Sequence, residues 1–198
     1  MSKISLLIII AALLLGCGSS RQVTRIEAET TIDLSGRWND ADSRLVAEEM
    51  ISDCLARPWI GEFNMMAGKK PTVIVGTIRN LSHEHIDTEM FTKDFERELI
   101  NSGNVTFVAA RFERGEIREE RLEQQQYSSD ETAKRLAEET GADFMLQGSI
   151  KTIVDQIEGR RIVYYQTDME LVNIESNEKV WIGSKKIKKE ITQKGSKW

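Results

Sequence analysis

The residues able to do chemistry are few and scattered. His83-Glu84-His85 is the only histidine cluster. On a strand, residues i and i+2 share a face, so two imidazoles spaced this way could hold a divalent metal. The segment falls between Asn80-Leu81-Ser82 and a helix cap at Asp87, which predicts a surface loop instead. Cys54 sits at helical spacing from Val46 and Met50, so it reads as a core thiol rather than a nucleophile. The glycines form no phosphate-cradling loop. The many Asp and Glu lie in runs matched by Arg, the pattern of solvated helix faces. No catalytic residue, cofactor site or metal site is assigned on this reading.

Cys17 is the exception. Residues 4–15 are apolar apart from Ser5 and follow the single charge of Lys3. As a helix this run is about 18 Å long, too short for a bilayer core of about 30 Å and right for the apolar part of a signal peptide. It ends Leu14-Leu15-Gly16-Cys17, which resembles the bacterial lipobox. The resemblance implies cleavage after Gly16 and acylation of Cys17. Gly18, where an Asp would mark inner-membrane retention, implies transfer to the outer membrane. Two or three acyl chains anchor stably, because each buried methylene contributes about 0.8 kcal/mol. Cleavage removes Lys3 and takes the formal charge from −5 to −6. Cys54 then has no disulfide partner.

The elements that position these groups follow from spacing. Residues 1–16 are the signal peptide, residues 17–36 a lipidated flexible leash and residues 37–195 one domain. Fully extended, the polar stretch 18–34 reaches at most about 60 Å. Asn39 or Asp40 caps a helix whose stripe is Val46, Met50, Cys54 with Ala47, Ile51, Leu55, ended by Pro58. Residues 72–78 are a β-branched strand. Asp87 caps a helix carrying Phe91, Phe95 and Leu99, and residues 105–109 form the next strand. Residues 113–126 read as a weakly packed charged helix or a mobile flap. Ser128 and Glu131 form a capping box for another, with Ala133, Leu136 and Ala137. Three strands follow, turning at Glu158-Gly159 and Ser176-Asn177. Tyr165, Thr167, Met169 and Leu171 face one way; Gln166, Asp168 and Glu170 face the other. The expected fold is α+β: a small mixed sheet ending in an antiparallel meander, flanked by helices.

Of the 198 residues, 40% are apolar, enough for a core, and the net charge of −5 gives no bias toward nucleic acid. Two cysteines exclude a disulfide scaffold. Lys185, Lys186, Lys188, Lys189, Lys194 and Lys197 make the C-terminus basic. They suit either an acidic partner or an edge strand guarded against pairing. Arg37, Trp38 and Asn39 at the leash–domain junction are the candidate partner contact. Trp38 either plugs the domain edge or anchors a partner. Trp59 has the same two readings.

Four blocks carry a family resemblance. They are Asp33-Leu34-Ser35-Gly36-Arg37-Trp38-Asn39-Asp40 continuing to Ala47, Asp94-Phe95-Glu96-Arg97-Glu98-Leu99 continuing to Gly103, residues 133–148, and Glu178-Lys179-Val180-Trp181-Ile182-Gly183. Together they resemble the LpoB family of penicillin-binding-protein activators. The resemblance implies a domain similar to the N-terminal domain of TolB. It also implies a lipoprotein of the outer membrane that binds and activates a bifunctional peptidoglycan synthase, a class A penicillin-binding protein, with its domain in the periplasm. It implies no enzymatic activity. The partner is then a protein, with the membrane engaged through acylated Cys17 and no nucleic acid involved. The other reading is a binding or assembly subunit of another envelope system, such as polysaccharide export or a TolB-like complex. The short leash departs from the long disordered one of the family's best-known form.

Overall fold

The structure is a computed structural model, and it describes residues 22–108, 114–126 and 141–193. The signal segment, Cys17, the expected helix over 128–140 and Lys194 and Lys197 lie outside them. The chain divides into a unit Met1–Thr30 and a compact unit Thr31–Trp198. In the first, residues 22–30 are irregular, with a single turn in which Thr30 N donates to Glu27 O at 3.1 Å.

The second unit opens with helix α1 (Asp40–Leu55). Asn39 is its cap. The Asn39 side chain accepts from Asp42 N at 3.1 Å, and Asp42 Oδ2 accepts from Asn39 N at 2.9 Å. This reciprocal box satisfies two donors that a helix start otherwise leaves bare. The expected stripe is the buried one: Val46, Ala47, Met50, Ile51 and Cys54.

Pro58 does close α1, but it also opens a helix the spacing did not predict, α2 (Trp59–Ala67). Proline is well placed there because the first turn's N–H groups have no helical acceptor. Gly68, at φ 64°, ends it. Strand β1 (Thr72–Leu81) is followed by α3 (Thr88–Asn101), capped by Asp87 through Glu89 N and Met90 N. Phe91, Phe95 and Leu99 are buried at i, i+4 spacing as expected. The next strand is shorter than the run 105–109 suggested: β2 holds only Thr106–Phe107. Helix α4 (Arg114–Gln126) exposes residues 115–120.

Three long strands complete the fold: β3 (Phe144–Ile157), β4 (Arg160–Asn173) and β5 (Lys179–Thr192). Gly159, at φ 73°, and Asn177, at φ 62°, supply the left-handed residues their turns need. Sheet order is β2-β1-β3-β4-β5. The pairs β1–β2 and β1–β3 are parallel, while β3–β4 and β4–β5 are antiparallel. The mixed sheet and closing meander match the expectation. Helices α1 and α3 pack against each other, α1 against β5 and α3 against β1 and β2. Odd-numbered residues of β4, Val163 to Leu171, point into this core. Trp181 locks β5 to α1 by donating Nε1–H to Asp53 Oδ2 at 2.8 Å, and that bond holds the Asp53 carboxyl below its usual range.

Candidate functional site

The junction residues Arg37, Trp38 and Asn39 are brought together with groups far away in sequence. Trp38 is half-buried and meets Phe91 and Tyr165 edge-on, at ring distances of 5.8 and 5.5 Å. Its Nε1–H donates to Ser43 Oγ at 2.7 Å and its backbone N–H to Glu84 Oε2 at 3.1 Å. Trp38 thus plugs the domain edge. Asn39 is occupied as the α1 cap, and its Nδ2 also donates to Asp33 Oδ1 and Ile32 O. Arg37 is exposed. Trp59 is buried in the core.

Lys189 organises the junction. Its side chain is 8% exposed, and its ammonium group donates to Asp33 Oδ1 at 2.5 Å, Asp42 Oδ2 at 2.6 Å and Arg37 O at 3.1 Å. Three donors meet three acceptors, which is what a buried ammonium requires. Burial works to lower the Lys189 pKa, but the bonds to Asp33 and Asp42 outweigh it and hold it above the ordinary lysine value. Burial pushes the Asp42 carboxyl up, against the pull of Lys189 and the Asn39 amide. Beside them, Tyr165 donates its hydroxyl to Glu84 Oε1 at 2.8 Å. Burial first, then the Glu84 carboxylate, raise the Tyr165 pKa well above the usual phenol value.

The sequence reading missed Lys189, Glu84 and Tyr165 as members of this cluster. For Lys189 the signal was strand parity. Counting by twos from Trp181 puts Lys185 and Lys189 on the inner side of β5 and Lys186 and Lys188 on the outer. Lys185 accordingly pairs with Glu49 on α1. Glu84 stands between the two histidines of the expected surface loop. That segment is indeed neither helix nor strand. Among the described residues no group of three or more His, Cys, Asp or Glu could hold a metal ion.

Gly36 fits the junction closely. It has φ 67°, and a Cβ added there would run into the Ile191 side chain. Gly36→Val is expected to cost about 1–3 kcal/mol through the left-handed backbone alone. Urea unfolding should show it as a lowered midpoint with an unchanged slope.

Opposite the helices, the sheet leaves a face of paired charges. Lys151 meets Asp168 at 3.3 Å and Lys179 meets Glu170 at 2.6 Å. Gln147 Nε2 donates to Glu170 Oε1 at 2.8 Å, and Gln166 Nε2 to Asp168 Oδ1 at 2.7 Å. Lys179, then Gln147, hold Glu170 below the usual carboxylate range. It stays ionised at neutral pH and suits recognition rather than proton transfer.

Fold and site together define an α+β domain with one helix-packed sheet face, one open polar face and an N-terminal segment strapped to its edge. The chain belongs to the LpoB family of peptidoglycan-synthase activators, whose model matches residues 42–187. Among solved structures it is similar to the LpoB C-terminal domain from Escherichia coli, at 16% identity and a TM-score of 0.41, covering 74% of this chain and 98% of that one. The Salmonella enterica LpoB C-terminal domain also gives 16% identity, with a TM-score of 0.36 over 66% of this chain and 93% of that one. Lipoprotein GNA1162 from Neisseria meningitidis gives 14% and 0.39, over 64% of this chain and 87% of that one. No curated protein matches the chain. Among the described residues no helix is long and apolar enough to cross a membrane.

Proposed function

We propose that this protein is a lipid-anchored, non-enzymatic activator of a bifunctional peptidoglycan synthase of the class A penicillin-binding-protein type. Acyl chains on Cys17 hold it in the outer membrane, with the domain in the periplasm. The observation that carries this reading is the family match over residues 42–187, which runs from α1 into β5 and so spans the helices and the sheet together. The lipobox-like ending at Cys17 supports the anchor.

The physical task is differential binding. An activator raises a synthase's rate only by holding its active state more tightly than its inactive one, and each 1.4 kcal/mol of that difference shifts the ratio of the two states about tenfold. At the junction, Arg37 supplies the contact, while Trp38 and Asn39 fix its backbone.

The lipid-free chain from residue 18 onward, mixed with the purified cognate synthase, is expected to bind it and raise its glycan-polymerising rate several-fold. Neither binding nor a rate change would remove the reading. Fatty-acid labelling should mark the wild-type protein and not Cys17→Ala.

A further inference from the structure

The end of the expected leash, just before α1, is attached in an unusual way. Residues 31–37 belong to no helix or strand, yet they lie within the compact unit. Little apolar surface holds them: Leu34 is 94% exposed, Ile32 is also exposed, and Gly36, which lies close against the Ile191 side chain, has no side chain of its own to bury. Their attachments are polar and few. Asp33 accepts from Lys189 and Asn39, Ile32 O accepts from Asn39, Gly36 O lies 3.3 Å from the Tyr165 hydroxyl, and Arg37 O accepts from Lys189. Beginning at Trp38 the attachment changes kind, because that ring is packed on Phe91 and Tyr165.

We propose that residues 31–37 are a strap that tension on the tether releases, lengthening the tether while the domain stays folded. The proposal rests on the lipid-anchor reading above, since only an anchored chain feels such tension. Hydrogen bonds break over a short extension and water replaces them. The strap therefore peels from its leash end and stops at Trp38, where apolar contact would have to be lost.

The ion pairing permits this. When the strap lifts, Asp33 goes to water from a site where its side chain is already 47% exposed. Lys189 keeps Asp42, which belongs to α1, so neither buried charge is left alone. Glu84 keeps Tyr165. Opening is local in the sense that a small unit detaches at far less cost than global unfolding.

The geometric consequence is large for so short a leash. With the strap closed, residues 17–30 span at most about 50 Å; with it open, residues 17–37 span about 75 Å.

Stretching the lipid-free chain between its two ends in an optical trap tests this on the wild type. The expected record is a reversible lengthening of about 20 Å at forces below the unfolding event. Asp33→Asn should lower the force of that step and speed tryptic cleavage after Arg37 about tenfold, with the melting temperature lowered by only a few degrees, since tenfold is about 1.4 kcal/mol. Lengthening only at global unfolding would overturn the strap, as would a step and a cleavage rate that Asp33→Asn leaves untouched. Acyl labelling of Cys17 is read separately. A labelled protein without the step sinks the strap alone, and a step in a protein that takes no label sinks the anchor.

Discussion

Replacing Trp59 with alanine is expected to cost the domain about 3–5 kcal/mol, the range for deleting a large buried aromatic. Trp59 is 4% exposed and is the buried residue of α2. Its ring meets Phe144 edge-on at 5.0 Å, and Phe63 meets the Phe144 ring at 5.2 Å. Its Nε1–H donates to Cys54 O at 2.8 Å, a carbonyl at the end of α1 that also accepts from Arg57 N at 3.3 Å. One side chain thus joins two helices to the first residue of β3. Trp59→Phe keeps most of the apolar contact and loses the hydrogen bond, so it should cost only about 1 kcal/mol. Urea unfolding of the two variants separates these terms. Equal losses for Phe and Ala would mean that the bond to Cys54, and not the packing, holds α2 in place.

That helix shows where sequence reading stops. Pro58 was legible as the end of α1, because proline disfavours helix in the residue before it. The same proline is a good helix start, and nothing in the spacing of Trp59, Ile60 and Phe63 chose between helix and loop. The stripes of α1 and α3 were legible because each is buried on one face only, and so repeats at helical spacing. The meander was legible by parity: Tyr165, Thr167, Met169 and Leu171 alternate with polar residues because β4 has one packed and one open face. Strand length was not. Each of β3, β4 and β5 runs 14 residues, since charged side chains on the open face do not stop a strand. The junction was half legible. Arg37, Trp38 and Asn39 could be picked out as a local group. Their partners lie far along the chain: Glu84 is 46 residues from Trp38, Lys189 is 152 from Arg37, and Tyr165 meets the Trp38 ring, and only the folded sheet brings them together.

Those buried groups predict a second large effect, a steep loss of stability in alkali. Three side chains hold protons in the folded domain that the unfolded chain gives up. Burial first, with Asp53 nearby, pushes the Cys54 thiol up to about 12 from an ordinary value of 9.0. Burial and Glu84 raise Tyr165 above its usual 10.0. Asp33 and Asp42 raise Lys189 above 10.5 against the effect of burial. Cys54 and Tyr165 are acids kept neutral, and Lys189 is a base kept charged, yet the sign is the same. In each case the folded state binds the proton more tightly, so stability falls as pH rises between the unfolded and folded values. Below pH 9 all three contributions are fully present. Above it the slope should reach about 1.4 kcal/mol per pH unit for each group inside its window, steepening near pH 10 as Tyr165 and Lys189 join Cys54. Urea midpoints measured from pH 8 to 11 should trace that curve. Cys54→Ala should remove the part that begins at pH 9 and leave the steeper part. Tyr165→Phe should keep the onset at pH 9 and remove only its own share of the steeper part, leaving that of Lys189, while the Glu84 carboxylate keeps its bond from Trp38 N. A midpoint that stays flat to pH 11 would mean that water reaches these groups in the folded domain, and that the Lys189 cluster is held less tightly than its distances say.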